Sequence, residues 1–137
     1  MPQYGTGTGA PSSDFNYELT STDTAIATRS QVRLLAGDSV QHRGPRPDDR
    51  NFSDTEIDYF LSQEEGHIQR AAALALETLA SEWSKEQSRQ QLGPASSEAR
   101  QASAFAEQAA ALRRVYGFSN PLQAQGIHRP QTSAFVD

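Results

Sequence analysis

The chain has 137 residues, a formal net charge of −5 and no cysteine. Its length predicts one domain, and a hydrophobic content of 36% predicts one modest core with marginal stability when alone. The acidic balance argues against general, non-specific binding of nucleic acid. The absence of cysteine excludes disulfides, thiolate metal sites and cysteine nucleophiles. No apolar run approaches the roughly 20 residues that span a bilayer, and no signal peptide is evident, so we expect a soluble, unexported protein that binds no membrane.

Residues 1 to 28 are rich in glycine, serine and threonine and show no helical period. We expect an extended arm that is disordered in a free monomer. Its spaced apolar residues are typical of an arm that fastens to another protein, and the alternative is a loose tail with incidental aromatics. On the first interpretation, the predicted partner-binding residues of this arm are Tyr4, Phe15 and Tyr17.

A helical domain is expected over residues 29 to 117. Thr28 or Ser30 can cap its first short helix, which should end at Gly37. The prolines of residues 38 to 52 exclude a regular helix there and predict a loop.

The basic residues between positions 29 and 52 are all arginines. They suggest forked pairing with carboxylates on a partner, with ordinary salt bridges at the surface as the alternative. The predicted partner-binding residues of this group are Arg43, Arg46 and Arg50.

Ser53 and Glu56 form the pattern of a capping box, which predicts a helix start followed by a break near Gly66. A long alanine-rich helix should then run from about residue 67 to about residue 90, with Gly93-Pro94 ending it.

Ser96 or Ser97 can cap a last helix that closes at Gly117. Apolar residues at helical spacing predict the core, which comprises Val32, Leu35, Ile57, Phe60, Leu61, Ile68, Leu76, Leu79, Trp83, Phe105 and Leu112. The small residues Ala71, Ala73 and Ala80 predict a face on which a neighbouring copy can pack closely.

Residues 118 to 137 lose the helical period and predict an extended C-terminal tail. Its predicted partner-binding residues are Phe118, Leu122, Ile127 and Phe135. The predicted fold class is therefore all-α, a small antiparallel bundle of about four helices, two of them long, flanked by extended N- and C-terminal arms.

No catalytic, cofactor or metal constellation emerges from the sequence. The glycines of residues 5 to 10 lack the flanking strand and helix of a phosphate loop. The three histidines are not at metal-ligand spacing, and the paired acids have no nucleophile or base arranged with them. We therefore expect a protein that is not an enzyme and holds no cofactor or metal.

Three pieces of sequence occur in a characteristic order. They are Val32-Arg33-Leu34-Leu35 with Gly37-Asp38, then Ser53 to Ile57, then Ala71 to Ala80. In this order, residues 30 to 117 resemble the small head-tail connector (adaptor) proteins of tailed bacteriophages. That family has a "VR.L.GD" opening, a "SDEEI...L" helix, an alanine-rich "AAALALE.LA" helix and a closing helix with "A..LR". The loop at 38 to 52 is longer than in the family pattern, and the C-terminal tail has no counterpart in it.

The resemblance implies an α-helical virion protein that assembles as a ring, usually of twelve copies, beneath the portal. Such a ring lies in the neck between head and tail after assembly in the host cytoplasm. It extends the DNA channel without specific DNA binding and contacts portal and stopper or tail components. The alternative from another class is a small helical DNA-binding packaging or regulatory subunit, whose arginines between 29 and 52 would contact phosphates.

Overall fold

Four α-helices carry most of the residues that the computed structural model describes, which are 14–90 and 96–119. The helices are α1 (Thr24–Ala36), α2 (Asp54–Gln63), α3 (Ile68–Gln90) and α4 (Ser97–Tyr116), with a 3-10 turn at Pro47–Asp49. The described residues contain no β-strand, so the predicted all-α fold is confirmed. α3 and α4 form the main packed pair, and α1 and α2 pack on α3.

The start of α2, the break before α3 and both ends of α4 follow the predicted signals. Ser53 accepts from the backbone N–H of Glu56, whose carboxylate accepts from the backbone N–H of Ser53, so the capping box is formed. Gly66 adopts a positive φ of 82° between α2 and α3. Ser96 caps α4 by accepting from a backbone N–H, and Gly117 follows its last residue. Gly93-Pro94 lies outside the described residues.

α1 begins earlier than the sequence predicted, at Thr24 instead of near residue 29. The cap is Asp23, whose carboxylate accepts from the backbone N–H groups of Ala25 and Ile26. The predicted end of α1 at Gly37 is confirmed, and Gly37 adopts a positive φ of 78°. Several consecutive Ser, Thr and Asp residues precede this helix, and each of them is a competent cap.

The core lies between α3 and the other helices. Its most buried members among the predicted residues are Val32, Ile57, Phe60, Leu76 and Leu79. Leu61, Ile68, Phe105 and Leu112 are partly buried against them. Phe52, at the end of the loop, is 1% exposed and packs edge-on against the ring of Phe60. No helical period includes it, so its burial was not predicted.

Two predictions about α1 and α3 are wrong. Leu35 is 40% exposed, because the buried face of α1 centres on Val32, Arg33 and Ala36 and Leu35 lies on another side of the helix. Ala71 and Ala73 have no exposed surface, so they pack inside the chain and offer no face to a neighbouring copy.

Trp83 is half-buried and packs outside the main cluster, where its indole Nε1 donates to the backbone oxygen of Pro45 at 2.8 Å. It therefore supports the loop, whereas the sequence predicted that it belongs to the core.

Candidate functional site

The side chain of Arg33 lies at the centre of a buried ionic network and has no exposed surface. Its Nη1 donates to the carboxylate of Asp38 and, at 2.8 Å, to the backbone oxygen of Phe52. Its Nη2 donates to Asp54 Oδ1 at 2.8 Å, and its Nε donates to the backbone oxygen of Asn16 at 3.1 Å. The N-terminal arm, α1, the loop and α2 therefore meet at one guanidinium, in what we call the Arg33 network.

The two carboxylates of the Arg33 network have opposite pKa shifts. Burial raises the pKa of Asp38 above its usual range, although the carboxylate accepts from Asn51 Nδ2 at 2.7 Å and faces Arg33. Burial acts on Asp54 as well, but hydrogen bonds from Arg33 and Asn16 outweigh it and hold the pKa of Asp54 below its usual range. Removing one partner from such a network leaves another charge buried and uncompensated, so its members act together.

Arg46 fixes the loop to α2 and α3. Its guanidinium donates to Glu82 at 2.8 and 3.0 Å and to Glu56 Oε1 at 3.0 Å, and it lies 4.8 Å from the ring centre of Phe52. Burial lowers the pKa of Arg46, but pairing with Glu82 and Glu56 prevails and raises it. The guanidinium is thus occupied inside the chain, so the prediction that Arg46 contacts a partner is replaced by an intramolecular role.

A third network closes the other end of the bundle. Arg113 donates to both oxygens of Glu64, at 3.1 and 3.0 Å, and to both oxygens of Glu77, each at 3.0 Å. It also donates to the backbone oxygen of Gly117, and the ring of Phe118 lies 4.6 Å from its guanidinium. This fastens the C-terminal end of α4 to α3 and to the residue that follows α2.

The other predicted partner-binding residues have three different locations. Phe15 and Phe118 pack over the guanidiniums of Arg33 and Arg113 of the same chain. Tyr17 is half-buried, and Arg43 and Arg50 are exposed. The remaining predicted residues lie outside the described part of the chain and are Tyr4, Leu122, Ile127 and Phe135.

The described part of the N-terminal arm is fastened to the bundle. Asn16 donates through its backbone and its amide to Asp54, and the backbone N–H of Glu18 donates to Ser30 Oγ at 2.7 Å. These contacts bind residues 16 to 18 to α1 and α2 of the same chain, whereas the sequence predicted an arm that binds another protein or a loose tail.

Two surface clefts, each of about 460 Å³, differ in the chemical character of their lining residues. The first, which we call the loop cleft, is walled by the N-terminal arm and the loop and carries the acidic residues Asp14, Asp48, Asp49 and Glu56. The second, which we call the alanine groove, runs between α3 and α4. Its lining residues are Glu77, Ala80, Ala106, Ala109, Ala110, Arg113, Arg114 and Phe118.

Several large apolar side chains are exposed at the surface of the helices and the loop. They are Leu19, Leu34, Leu35, Val40, Tyr59, Val115 and Tyr116, and Val115 is 73% exposed. Surface apolar residues occur singly in most proteins, but the proximity in sequence of Leu34, Leu35 and Val40 gives one end of α1 an apolar character.

Within residues 14–90 and 96–119, no group of three or more histidine, aspartate or glutamate side chains could hold a metal ion. None of the helices in this part of the chain is long and apolar enough to cross a membrane. In comparisons with known proteins, no family model, no curated protein and no solved structure matches the chain.

Sequence reasoning missed the buried charges, but one signal could have found them. Arg33 lies between Val32 and Ala36 on the apolar side of its helix, and Arg113 continues the buried spacing of Ala102 and Ala109. A charged residue at a core position of a helical period requires a buried partner. The partners Asp38, Asp54 and Glu64 stand in a loop or near helix ends, where acids are usually solvated or act as caps.

Proposed function

We propose that this protein is a head-tail connector (adaptor) of a tailed bacteriophage. It forms a ring beneath the portal, extends the DNA channel and joins the capsid vertex to stopper or tail components. The helices from residue 53 to residue 90 and from residue 97 to residue 116 build the ring. The terminal residues 1 to 13 and 128 to 137 contact the portal or adjacent subunits.

The observation that carries this proposal is the position of the residues on which the resemblance rests. Arg33 and Asp38 of the first piece and Asp54 of the second piece pair directly in the Arg33 network. Buried ionic partners depend on one another because each leaves an uncompensated charge when the other is lost. The first two matching pieces are therefore parts of one structural unit, which gives the resemblance more weight than separate generic helical patterns would have.

The surface of the bundle also supports a protein that acts through assembly. Exposed apolar side chains on α1 and α4, such as Leu34 and Val115, supply surface that association can cover. The net charge of −5 disfavours adhesion of DNA to a channel wall, because like charges repel.

The proposal is tested by measuring the mass of the purified protein with and without portal protein and by imaging both samples by electron microscopy. We expect rings in at least one sample, with a mass near 180 kDa for twelve chains of 15.0 kDa. Both samples are needed because assembly can depend on portal. A protein that forms no rings and does not bind portal would refute the proposal.

A matched pair of variants on α4 tests whether this helix contributes to the ring. Val115 is 73% exposed and apolar, so Val115→Asp should weaken assembly at least about tenfold if association covers it. Ala111→Asp introduces the same charge at a neighbouring exposed position and should have a smaller effect. Equal assembly by both variants and the unmodified chain would show that this face of α4 lies outside the ring contacts.

The DNA-binding alternative loses support at its proposed contacts. The side chains of Arg29, Arg33 and Arg46 are 15%, 0% and 13% exposed and pair with carboxylates of the same chain. Of the arginines in this region, Arg43 and Arg50 are exposed and could reach a phosphate.

A further inference from the structure

The alanine groove presents an apolar surface between two helices that are otherwise packed together. Ala106 and Ala110 on α4 are exposed, and Ala80 on α3 is half-buried. Of its three charged lining residues, Glu77 and Arg113 are paired with each other and Arg114 is exposed. The rest of the lining is four alanines and Phe118, and an apolar side chain is the occupant that fits them.

Phe118 shows where an occupant can come from. This residue follows the end of α4, lies over Arg113 and forms part of the wall of the groove. Ser119 is the last residue described in this region, and its backbone N–H donates to Glu64 Oε1 at 3.3 Å. The chain therefore leaves the described region beside the groove, with one apolar side chain of the C-terminal segment already in it.

The sequence that follows can reach the groove and has suitable residues. Asn120-Pro121 is a pair that favours a turn, Leu122 comes directly after it, and Ile127 follows five residues later. The eight residues that follow Ser119, as far as Ile127, can span up to about 26 Å. From Arg114 to Ala106 the groove extends along α4 by about 12 Å.

We propose that the alanine groove is the docking site for residues 120 to 127 of the same chain, with Leu122 and Ile127 seated on its alanines. The short connection gives this segment a high effective concentration at the groove, so docking within one chain prevails over docking by another copy. This proposal does not depend on the proposed function, since it concerns how the chain covers its own surface.

Thiol accessibility tests the proposal in the full-length chain, which has no cysteine of its own. A cysteine is placed in the groove by Ala110→Cys, and its rate of alkylation by iodoacetamide is measured. We expect the rate to rise about tenfold when Leu122→Asp and Ile127→Asp are added, because the charged residues cannot dock on the alanines. An unchanged rate would overturn the proposal.

Ala111→Cys is the matched control, because Ala111 is exposed on the same helix and does not line the groove. The alkylation rate at position 111 should be the same with and without the two aspartates. An equal acceleration at positions 110 and 111 would contradict the proposal, since it would indicate a general loosening of α4. The slow rate at position 110 should also be independent of protein concentration, and its loss on dilution would overturn docking within one chain.

Discussion

Arg33 illustrates how a single charged residue sets the orientation of a helix. The sequence predicted that α1 turns Val32 and Leu35 towards the core, yet Arg33 occupies the centre of the buried face. Burial of a guanidinium is tolerated because Asp38 and Asp54 pair with it. With Val32, Arg33 and Ala36 on the buried face, Leu35 lies on another side of the helix and remains at the surface.

Replacing Arg33 should destabilise the protein strongly. Arg33→Met removes the charge but leaves the buried carboxylate of Asp38 without its partner, which costs about 3 to 5 kcal/mol of unfolding free energy. Urea unfolding followed by circular dichroism measures the loss. Arg89→Met on α3 is the control and should cost far less, because the side chain of Arg89 is 66% exposed and pairs with Glu86 on the same helix. Equal losses would contradict the special role of Arg33.

The lowered pKa of Asp54 should make its contribution to stability depend on pH. The unfolded chain binds a proton more readily at this position than the folded chain, so the contribution is fully present above the unfolded pKa near 3.9. It is lost as the pH falls through the lower pKa of the folded state.

Asp54→Asn tests this dependence by urea unfolding at several pH values. The variant should be less stable than the unmodified chain at pH 7, and the gap should narrow below about pH 4. Asp58→Asn is the control, because the side chain of Asp58 is 56% exposed and its pair with Arg29 contributes little. A gap that stays constant down to pH 2 would contradict the assignment.

At the scale of the helices, local signals predicted the ends well and the packing less well. The capping box at Ser53, the stop at Gly37 and the cap at Ser96 depend on residues within three or four positions, so the sequence contains them. The start of α1 at Asp23 was missed because several neighbouring residues cap equally well.

The candidate site was harder to predict, because its contacts join residues far apart in the sequence. The partners of Arg46 stand 10 and 36 positions away, at Glu56 and Glu82. The sequence shows the concentration of arginines and predicts either pairing with a partner or ordinary salt bridges at the surface, but no local pattern says which carboxylate folds against which arginine.

The loop should depend on a glycine at position 44. A Cβ atom there would lie 2.0 Å from the backbone oxygen of Arg50, which leaves no space for any side chain. Gly44→Ala should therefore open the loop and lower the unfolding free energy by about 2 kcal/mol or more.

Trp83 reports on this change because it is the single tryptophan of the chain and donates to Pro45 in the loop. Its fluorescence should shift to longer wavelength in Gly44→Ala. Gly66→Ala is the control: it costs about 1 kcal/mol through its positive φ, and should leave the emission unchanged because Gly66 lies elsewhere. Unchanged emission in Gly44→Ala would contradict the close contact.

The alanine-rich face of α3 should respond to larger residues as a core does. Ala73 has no exposed surface, so Ala73→Leu should cost about 1 to 3 kcal/mol of unfolding free energy through overpacking. Ala111→Leu at an exposed position of α4 should change it by less than about 0.5 kcal/mol. Thermal unfolding of both variants measures the difference, and a stable Ala73→Leu protein would contradict the packing.

At the scale of the whole molecule, three arginines of the described residues have their charge paired inside the chain. Arg33, Arg46 and Arg113 each pair with two carboxylates of the same chain, and the net charge is −5. We therefore expect weak binding to duplex DNA with a shallow salt dependence, releasing about two counterions or fewer. Fluorescence anisotropy with labelled DNA between 50 and 200 mM salt, roughly the range in which phosphate contacts are resolved, measures the slope. A steep slope would support the DNA-binding alternative.

The three networks share one arrangement, in which a phenylalanine ring lies over a guanidinium that also donates hydrogen bonds to carboxylates. The ring centres of Phe15, Phe52 and Phe118 lie 4.2, 4.8 and 4.6 Å from their arginines. The ammonium group of a lysine cannot lie flat against an aromatic ring and donate a bidentate pair of hydrogen bonds at the same time. The use of arginine at these positions fits this requirement, and Lys85 is the one lysine of the sequence. Relatives of this protein should therefore keep or replace each arginine and its phenylalanine together, so paired changes at these positions offer a criterion for recognising distant members of its lineage.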